Sequence, residues 1–250
     1  IRRTTPHVPS FQVPQLYDLH EIKAPATKLR NIVILGGVDP QKRVDWVLET
    51  LGNVENLIDR GQRLVLKIAG SIDPRCRHLE QRASEISSSR LEIDFLGRVT
   101  DSQFEQLFVE ADLCIALRYP TMGETSAIVS RAMQYGVPTI VNDIGWYAEL
   151  PGDIVKKIPV EECKRRLGEL LEHLVNDKSA YAQWCKHCRN FAEGAVSLAH
   201  YGQHYLDICT NPRGEEMVSD IFASVLHDCG MTGADREAEV LHTIINESYF

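Results

Sequence analysis

A polar stretch between two apolar segments holds the residues best suited to chemistry in this chain. The stretch, RYPTMGETSAIVSR at residues 118–131, runs from an apolar segment through a short loop into a helical pattern. Thr125 and Ser126 are both suitable N-caps, and the free N–H groups of a first helical turn attract anions. Gly123, just before them, allows the backbone to approach a ligand closely. The stretch therefore predicts a site for a phosphate-bearing ligand.

Three charged residues extend this prediction. Arg118 ends the preceding apolar segment and Arg131 lies one to two turns into the helix, so both are placed to add positive charge. For Arg131, a salt bridge with a neighbouring acid is an open alternative. Glu124 is interpreted as a catalytic residue whose carboxylate accepts from a hydroxyl group. A solvated carboxylate in the first helical turn is the alternative.

A second loop, GGVDPQK at residues 36–42, follows the first apolar run. Gly36 and Gly37 would let the backbone come close to a ligand, and Lys42 would reach a phosphate from the start of the next helical pattern. The loop matches neither the glycine-rich dinucleotide fingerprint nor the Walker loop. A plain turn with a solvated lysine is the alternative.

A third loop, FLGRVT at residues 95–100, follows another apolar run. Here Gly97 and Arg98 would present backbone groups to a flat base, although an ordinary tight turn explains the same residues equally well. Thr100 and Gln103 have the spacing of a capping box, which predicts that a helix begins directly after this loop.

The elements that position these loops alternate between strand and helix. Short runs rich in β-branched residues are separated by segments with one-face helical spacing. The predicted strands are 31–37, 63–70, 91–97, 112–117, 138–142 and 153–158, and the predicted helices between them are 42–51, 74–89, 101–111 and 125–135. This order implies right-handed β-α-β units, and it predicts an α/β, Rossmann-like, doubly wound parallel sheet over residues 31–160. Ligands of such sheets bind at the carboxyl ends of the strands, where all three loops lie.

The flanking residues have other patterns. Residues 1–30 are polar and rich in proline, which predicts a linker or an irregular arm. Residues 161–211 predict helices that pack on the sheet domain, at 161–176, 178–193 and 195–210. Residues 212–250 predict a C-terminal helical extension. Its apolar faces would pack on this domain, on a missing domain, or on a second subunit in a homo-oligomer.

Composition and charge exclude several classes of protein. With 44% hydrophobic and 25% charged residues, the chain is an ordinary globular protein. Its net charge of -8 argues against non-specific nucleic-acid binding. No apolar run approaches the roughly 20 residues of a transmembrane segment. The 7 scattered cysteines predict free thiols in a reducing compartment. Cys185 and Cys188 are interpreted as helix packing rather than a metal site, because no second pair follows at zinc spacing.

The order of these motifs resembles the C-terminal, donor-binding domain of the retaining GT-B glycosyltransferases of family 4, also called group 1. The similarity covers roughly residues 31–160 and rests on LGGVDPQK, LVLKIAGS, IDFLGRVTDSQFEQLFVEADLCIAL and GETSAIVSRAMQYGVPTIVNDIG. TPHVP at residues 5–9 is similar to the linker between the two lobes, and the helix with Tyr201 and Tyr205 is similar to one that crosses back. The chain begins with Ile1 and lacks a signal or transit pattern. The resemblance implies the second half of a two-lobed enzyme, without its N-terminal acceptor lobe.

This resemblance also implies an activity. A retaining glycosyltransferase would move a sugar from a nucleotide-diphosphate sugar to a glycan, polysaccharide or lipid-linked acceptor, with no metal and no other cofactor. Lys42, which matches a family lysine, and the helix start at 125–126 would stabilise the leaving diphosphate. The implied location is cytoplasmic, with peripheral attachment to the inner membrane face as an alternative. The isolated chain need not be active without the other lobe.

The chain departs from the family pattern around the same corner. Family members carry two glutamates there, which align with Gly123 and Arg131, and Glu124 lies one place along. The arginine of the family's first loop aligns with Gly37. The carboxylate that usually holds the ribose of the donor is therefore absent. These departures favour a second hypothesis, a degenerate, non-catalytic interaction module, and a nucleotide-sugar epimerase is a third.

Overall fold

The computed structural model describes residues 24–54 and 63–194. The predictions for the N-terminal arm before residue 24, for the helix with Tyr201 and Tyr205 and for the C-terminal extension fall outside these residues. So does the homo-oligomer contact expected of that extension.

Six parallel strands form one sheet, in the order β3-β2-β1-β4-β5-β6. Their apolar side chains are buried because helices cover both faces, as the continuous β-branched runs predicted. The central strand β1 pairs Ile32 with Leu66 on one side and with Leu113 on the other. The strands are β1 Asn31–Leu35, β2 Leu64–Ala69, β3 Leu91–Gly97, β4 Leu113–Ala116, β5 Thr139–Asn142 and β6 Val155–Ile158. The prediction of a doubly wound parallel sheet is confirmed.

Six α-helices of the described residues cover this sheet. They are α1 Val44–Val54, α2 His78–Ile86, α3 Asp101–Glu110, α4 Ala127–Gln134, α5 Cys163–Asn176 and α6 Lys178–Glu193. Helix α1 packs against α2 and α5, and α4 packs against α6. Rings of Phe108 and Tyr135 stack at 5.2 Å and join α3 to the end of α4. Right-handed crossovers place α1 and α2 on one face and α3 and α4 on the other. Helix α5 joins the first face through its contact with α1, and α6 joins the second through its contact with α4.

Local side-chain chemistry decides where the helices begin. Thr100 and Gln103 form the predicted capping box, so that prediction is confirmed. Helix α4 begins at Ala127, two residues later than predicted, because Ser126 is its N-cap and accepts from a backbone N–H. Helix α2 also begins later than predicted, since Pro74 starts a separate 3-10 turn before it.

Helix α6 is fixed to the sheet by polar contacts inside an apolar interface. The Tyr181 hydroxyl donates to the backbone oxygen of Asp112 at 2.7 Å, and Trp184 Nε1 donates to that of Ile154 at 2.9 Å. Cys185 and Cys188 are buried in the same contact, and burial raises the pKa of Cys188 to about 12. The Cys188 thiol also donates to the backbone oxygen of Ile154 at 3.4 Å. None of the described helices is both long and apolar enough to cross a membrane.

Candidate functional site

The strand order reverses between β1 and β4. From β1 the chain proceeds to β2 and β3 on one side, then returns to β4, β5 and β6 on the other. Ligands of open α/β sheets bind outside the carboxyl ends of the two strands at such a switch point. Two of the predicted loops meet there, which we call the β1 loop (residues 36–43) and the β4 loop (residues 117–126). The third, the β3 loop at residues 98–100, lies at the edge of the sheet, two strands from β1.

The β1 loop folds Lys42 back towards the strand. The Asp39 side chain accepts from the backbone N–H of Lys42 at 3.3 Å and shapes a short 3-10 turn. The Lys42 ammonium then donates to the backbone oxygen of Leu35 at 3.3 Å. Gly36 has a φ of +88°, and a Cβ added to it would lie 3.2 Å from Lys42 Nζ. A side chain at this position would therefore crowd the ammonium.

Lys42 is half-buried, unlike the solvated lysine of the alternative interpretation. Burial is the largest cause that lowers the pKa of Lys42. The nearby positive charge of Arg118 lowers this pKa further, and Asp39 partly offsets both effects. No carboxylate of the described residues forms an ion pair with Lys42. The β1 and β4 loops thus place two cations, Lys42 and Arg118, near each other at the switch point.

The β4 loop is organised around Glu124. Its carboxylate forms an ion pair with Arg118 and accepts from the Thr121 hydroxyl at 3.0 Å and the Met122 N–H at 2.8 Å. The pKa of Glu124 is lowered to about 2 by hydrogen bonds from its own backbone N–H, from the Met122 N–H and from the Thr121 hydroxyl, and by the charge of Arg118. Glu124 precedes helix α4 and is not in its first turn. This carboxylate is ionised at neutral pH and already has several donors.

A buried asparagine that the sequence analysis missed fixes the start of the β4 loop. Asn142, the last residue of β5, is 0% exposed, and its Oδ1 accepts from the backbone N–H of Arg118 at 2.9 Å. Its amide nitrogen donates to Cys163 Sγ at 3.3 Å. The only signal in the sequence is a polar residue that ends an otherwise apolar strand.

We expect Asn142→Ala to lower the free energy of unfolding by about 2–3 kcal/mol, because it leaves the backbone N–H of Arg118 without its partner. Urea denaturation measures the change. Asn31→Ala is the matched control, since the Asn31 amide makes one exposed hydrogen bond, to the Glu110 oxygen at 3.3 Å. Its expected loss is below about 1 kcal/mol. Equal losses in both variants would contradict this role for Asn142.

Direct contacts hold the β1 and β4 loops together. The Tyr119 N–H donates to the backbone oxygen of Gln41 at 2.8 Å, and the Tyr119 ring stacks on Trp46 at 6.1 Å. Gly70, at the end of β2, also contacts the β1 loop. A Cβ on Gly70 would lie 2.1 Å from the Gly36 oxygen. These contacts keep the two cationic loops in one relative position.

Other predicted residues lie around the same corner. Ser126 is the buried N-cap of α4, whereas Thr125 is exposed and lies outside the helix. Gly123 has a φ of +83° and faces open space. Gly37 is exposed, beside Ser71. Backbone and small residues therefore lie between the charged side chains at this corner.

Two predicted arginines lie away from Lys42. The Arg131 guanidinium lies 5.7 Å from the centre of the Phe104 ring, on the α3 side of α4. Arg98, next to Gly97 with its φ of +63°, borders a 360 Å³ pocket between the β3 loop and α3. This pocket is lined by Leu96, Arg98, Val99, Gln103, Gln106 and Leu107. The structure thus brings Lys42, Arg118 and Glu124 together and leaves Arg98 and Arg131 on neighbouring surfaces.

The fold and the crevice define a Rossmann-like α/β domain with cations at its switch point. The chain belongs to the glycosyl transferases group 1 family, whose sequence profile matches residues 30–177. The resemblance seen in its motifs is therefore confirmed. No curated protein matches the chain.

Solved structures share the fold. WaaG, a glycosyltransferase involved in lipopolysaccharide biosynthesis, is 20% identical over 75% of this chain and 48% of its own, with a TM-score of 0.54. HepE of Anabaena, in complex with UDP and glucose, is 16% identical over 74% and 49%, with a TM-score of 0.56. The C-terminal domain of LpcC from Francisella tularensis, a glycosyl transferase group 1 family protein, is 11% identical over 68% and 87%, with a TM-score of 0.56. The chain spans about half the length of WaaG and HepE.

Proposed function

We propose that this domain binds the nucleotide-diphosphate part of a sugar donor. With an acceptor lobe, it would transfer the sugar to a glycan or lipid-linked acceptor, with retention and without a bound metal. One observation carries the proposal: the β1 and β4 loops, which carry Lys42 and Arg118, are joined by the hydrogen bond from the Tyr119 N–H to the Gln41 oxygen, and the Arg118 guanidinium pairs with Glu124. HepE, which has the same fold, has been solved with UDP bound, and this supports the choice of donor.

The charges of the crevice favour a dianion. Two like charges at a partly buried site repel each other; Glu124 pairs with one of them, and Asp39 offsets the other in part. The amino end of α4, capped by Ser126, adds the positive end of a helix dipole. A diphosphate that replaced Glu124 beside Arg118 would contact both cations and the amino end of α4, and the same groups would stabilise it as the leaving group. In this arrangement the cations of the protein take the part that a metal ion takes in other phosphate sites.

The base would lie along the same edge of the sheet. Two strand spacings separate the ends of β1 and β3, roughly 10 Å. The 360 Å³ pocket beside Arg98 opens at the end of β3 and combines apolar with polar side chains. A flat base in this pocket would place the diphosphate of the same nucleotide at the β1 loop.

Glu124 would pair with Arg118 before a ligand binds instead of receiving a proton. Its pKa of about 2 makes it a poor base near neutral pH. The group that activates the acceptor hydroxyl would then come from another part of the two-lobed enzyme. The acceptor class itself is proposed from WaaG, which is involved in lipopolysaccharide biosynthesis.

A thermal-shift panel of UDP, GDP, ADP, TDP and their sugars, in EDTA, tests this function. A ligand at 100 times its Kd stabilises the folded domain by about 2.7 kcal/mol, so at least one nucleoside diphosphate should raise Tm clearly. The matching nucleoside without phosphate should not. No shift with any of them at millimolar concentration would overturn the proposal and favour the interaction module.

A further inference from the structure

We propose that Glu124 determines which anions this site accepts. In this structure its carboxylate pairs with Arg118, and we infer that a ligand takes its place only when it reaches Lys42 and Arg118 together. The inference rests on the proposed binding of a diphosphate at the switch point. Glu124 would then compete with the ligand for the Arg118 guanidinium.

The loop holds Glu124 independently of Arg118. The Thr121 hydroxyl and the Met122 N–H both donate to one carboxylate oxygen, and the Arg118 guanidinium pairs with the other. The carboxylate therefore keeps its orientation when the guanidinium leaves. Exchange of partners requires only the Arg118 side chain to move.

Arg118 is suited to such an exchange. Its backbone is fixed, because its N–H donates to the buried Asn142 side chain. Its own side chain is 20% exposed and that of Glu124 is 37% exposed, so incoming anions reach the ion pair from solvent. The guanidinium can thus turn from the carboxylate to a phosphate while the loop stays in place.

A tethered carboxylate competes as if it were present at high concentration. An anion that contacts Arg118 alone replaces one charged partner with another and gains little. A diphosphate has charge for Arg118, for Lys42 and for the amino end of α4, so its additional contacts offset the lost pair. Asp39 also faces Lys42, but it stays in place in every variant below. Glu124 therefore selects for ligands with two adjacent anionic groups.

The test compares Glu124→Gln with the unchanged chain by calorimetric titration of pyrophosphate, orthophosphate and UDP. The glutamine carbonyl still accepts from the loop, but the competing charge is gone. We expect pyrophosphate and UDP to bind about tenfold more tightly. Orthophosphate should gain by a larger factor, because it becomes able to contact both cations without displacing a carboxylate.

Two variants act as controls. In Glu124→Gln combined with Arg118→Ala the gain should vanish, because the exchange needs the guanidinium. Glu92→Gln should bind as the unchanged chain does, since Glu92 also pairs with an arginine, Arg63, and is 39% exposed, but lies in the strand β3. A second measurement needs no variant: pyrophosphate should shift the Nε–H resonance of Arg118 and leave that of Arg63 in place.

The possible failures are distinct. If the unchanged chain binds UDP while Glu124→Gln binds it equally or more weakly, the competitor role is wrong and the proposed function stands. A gain that persists without Arg118, or an unmoved Arg118 resonance, would also overturn the exchange. If neither chain binds pyrophosphate or any nucleoside diphosphate of the thermal-shift panel, both this inference and the proposed function are wrong.

Discussion

Replacing Lys42 with methionine is expected to weaken the stabilisation by nucleoside diphosphates strongly, without destabilising the fold. The ammonium is half-buried, is repelled by Arg118, and has a carbonyl as its hydrogen-bond partner. A charged hydrogen bond to phosphate contributes about 1.5–3 kcal/mol, so the Kd should rise roughly 10- to 150-fold. Methionine keeps the apolar part of the side chain, and its neutral end removes a desolvated charge.

Calorimetric titration with UDP, together with urea denaturation, measures both effects. Lys67→Met is the matched control, because Lys67 is also partly buried but pairs with Glu110 at 2.9 Å. That variant should bind UDP normally. Unchanged UDP binding by Lys42→Met would show that the ammonium does not contact the ligand.

Lys42 should also make stability depend on pH. Its folded-state pKa is lowered from 10.5, so the unfolded chain binds more protons in the interval between the two values. Stability therefore rises as pH increases through that interval, and the full penalty of the buried charge is present below it. This part of the slope should be missing in Lys42→Met.

Replacing Gly70 with alanine is expected to cause the largest loss of stability, about 3 kcal/mol or more. Gly70 has a φ of +150°, and its added Cβ would lie 2.1 Å from the Gly36 oxygen and 2.9 Å from the Gly37 nitrogen. The clash is with backbone, so no side-chain rotation relieves it. The β1 loop must move instead, and UDP binding should weaken with it.

Urea denaturation and UDP titration of Gly70→Ala check this expectation. Gly152→Ala is the control, because a Cβ there meets nothing within 4 Å and its φ is not in the left-handed region. That change should stay within about 0.5 kcal/mol of the unchanged chain. A similar small effect in Gly70→Ala would show that the contact with Gly36 does not fix the β1 loop.

The sheet and the position of the crevice could be predicted because their signals are local. Runs such as NIVIL and LVLKIA combine β-branched residues with burial on both faces, and helical spacing between them implies parallel strands. Topology then brings the loops with Lys42 and Arg118 to one edge of the sheet. Residues far apart in sequence could thus be assigned to one site before their contacts were known.

Several contacts that the sequence analysis missed join distant segments. Asn142 accepts from a backbone N–H 24 residues away. Gly70 lies so close to the oxygen of Gly36, in the loop after the neighbouring strand, that a side chain does not fit at its position. Neither residue differs locally from an ordinary strand end. The partner of Glu124 was also not predicted. Its residue type fits a hydroxyl acceptor, but its ion pair with Arg118 depends on how the β4 loop folds. Local patterns predict the elements and their order, but not which side chains become each other's partners.

A crystal structure of this domain with UDP would show where the diphosphate binds. We expect it between Gly36 and the start of α4, with phosphate oxygens about 3 Å from Lys42 Nζ and from the Arg118 guanidinium. We also expect Arg118 to have turned away from Glu124. UDP bound elsewhere, with Lys42 still donating to Leu35 and Arg118 still paired with Glu124, would show that the switch point is not the donor site.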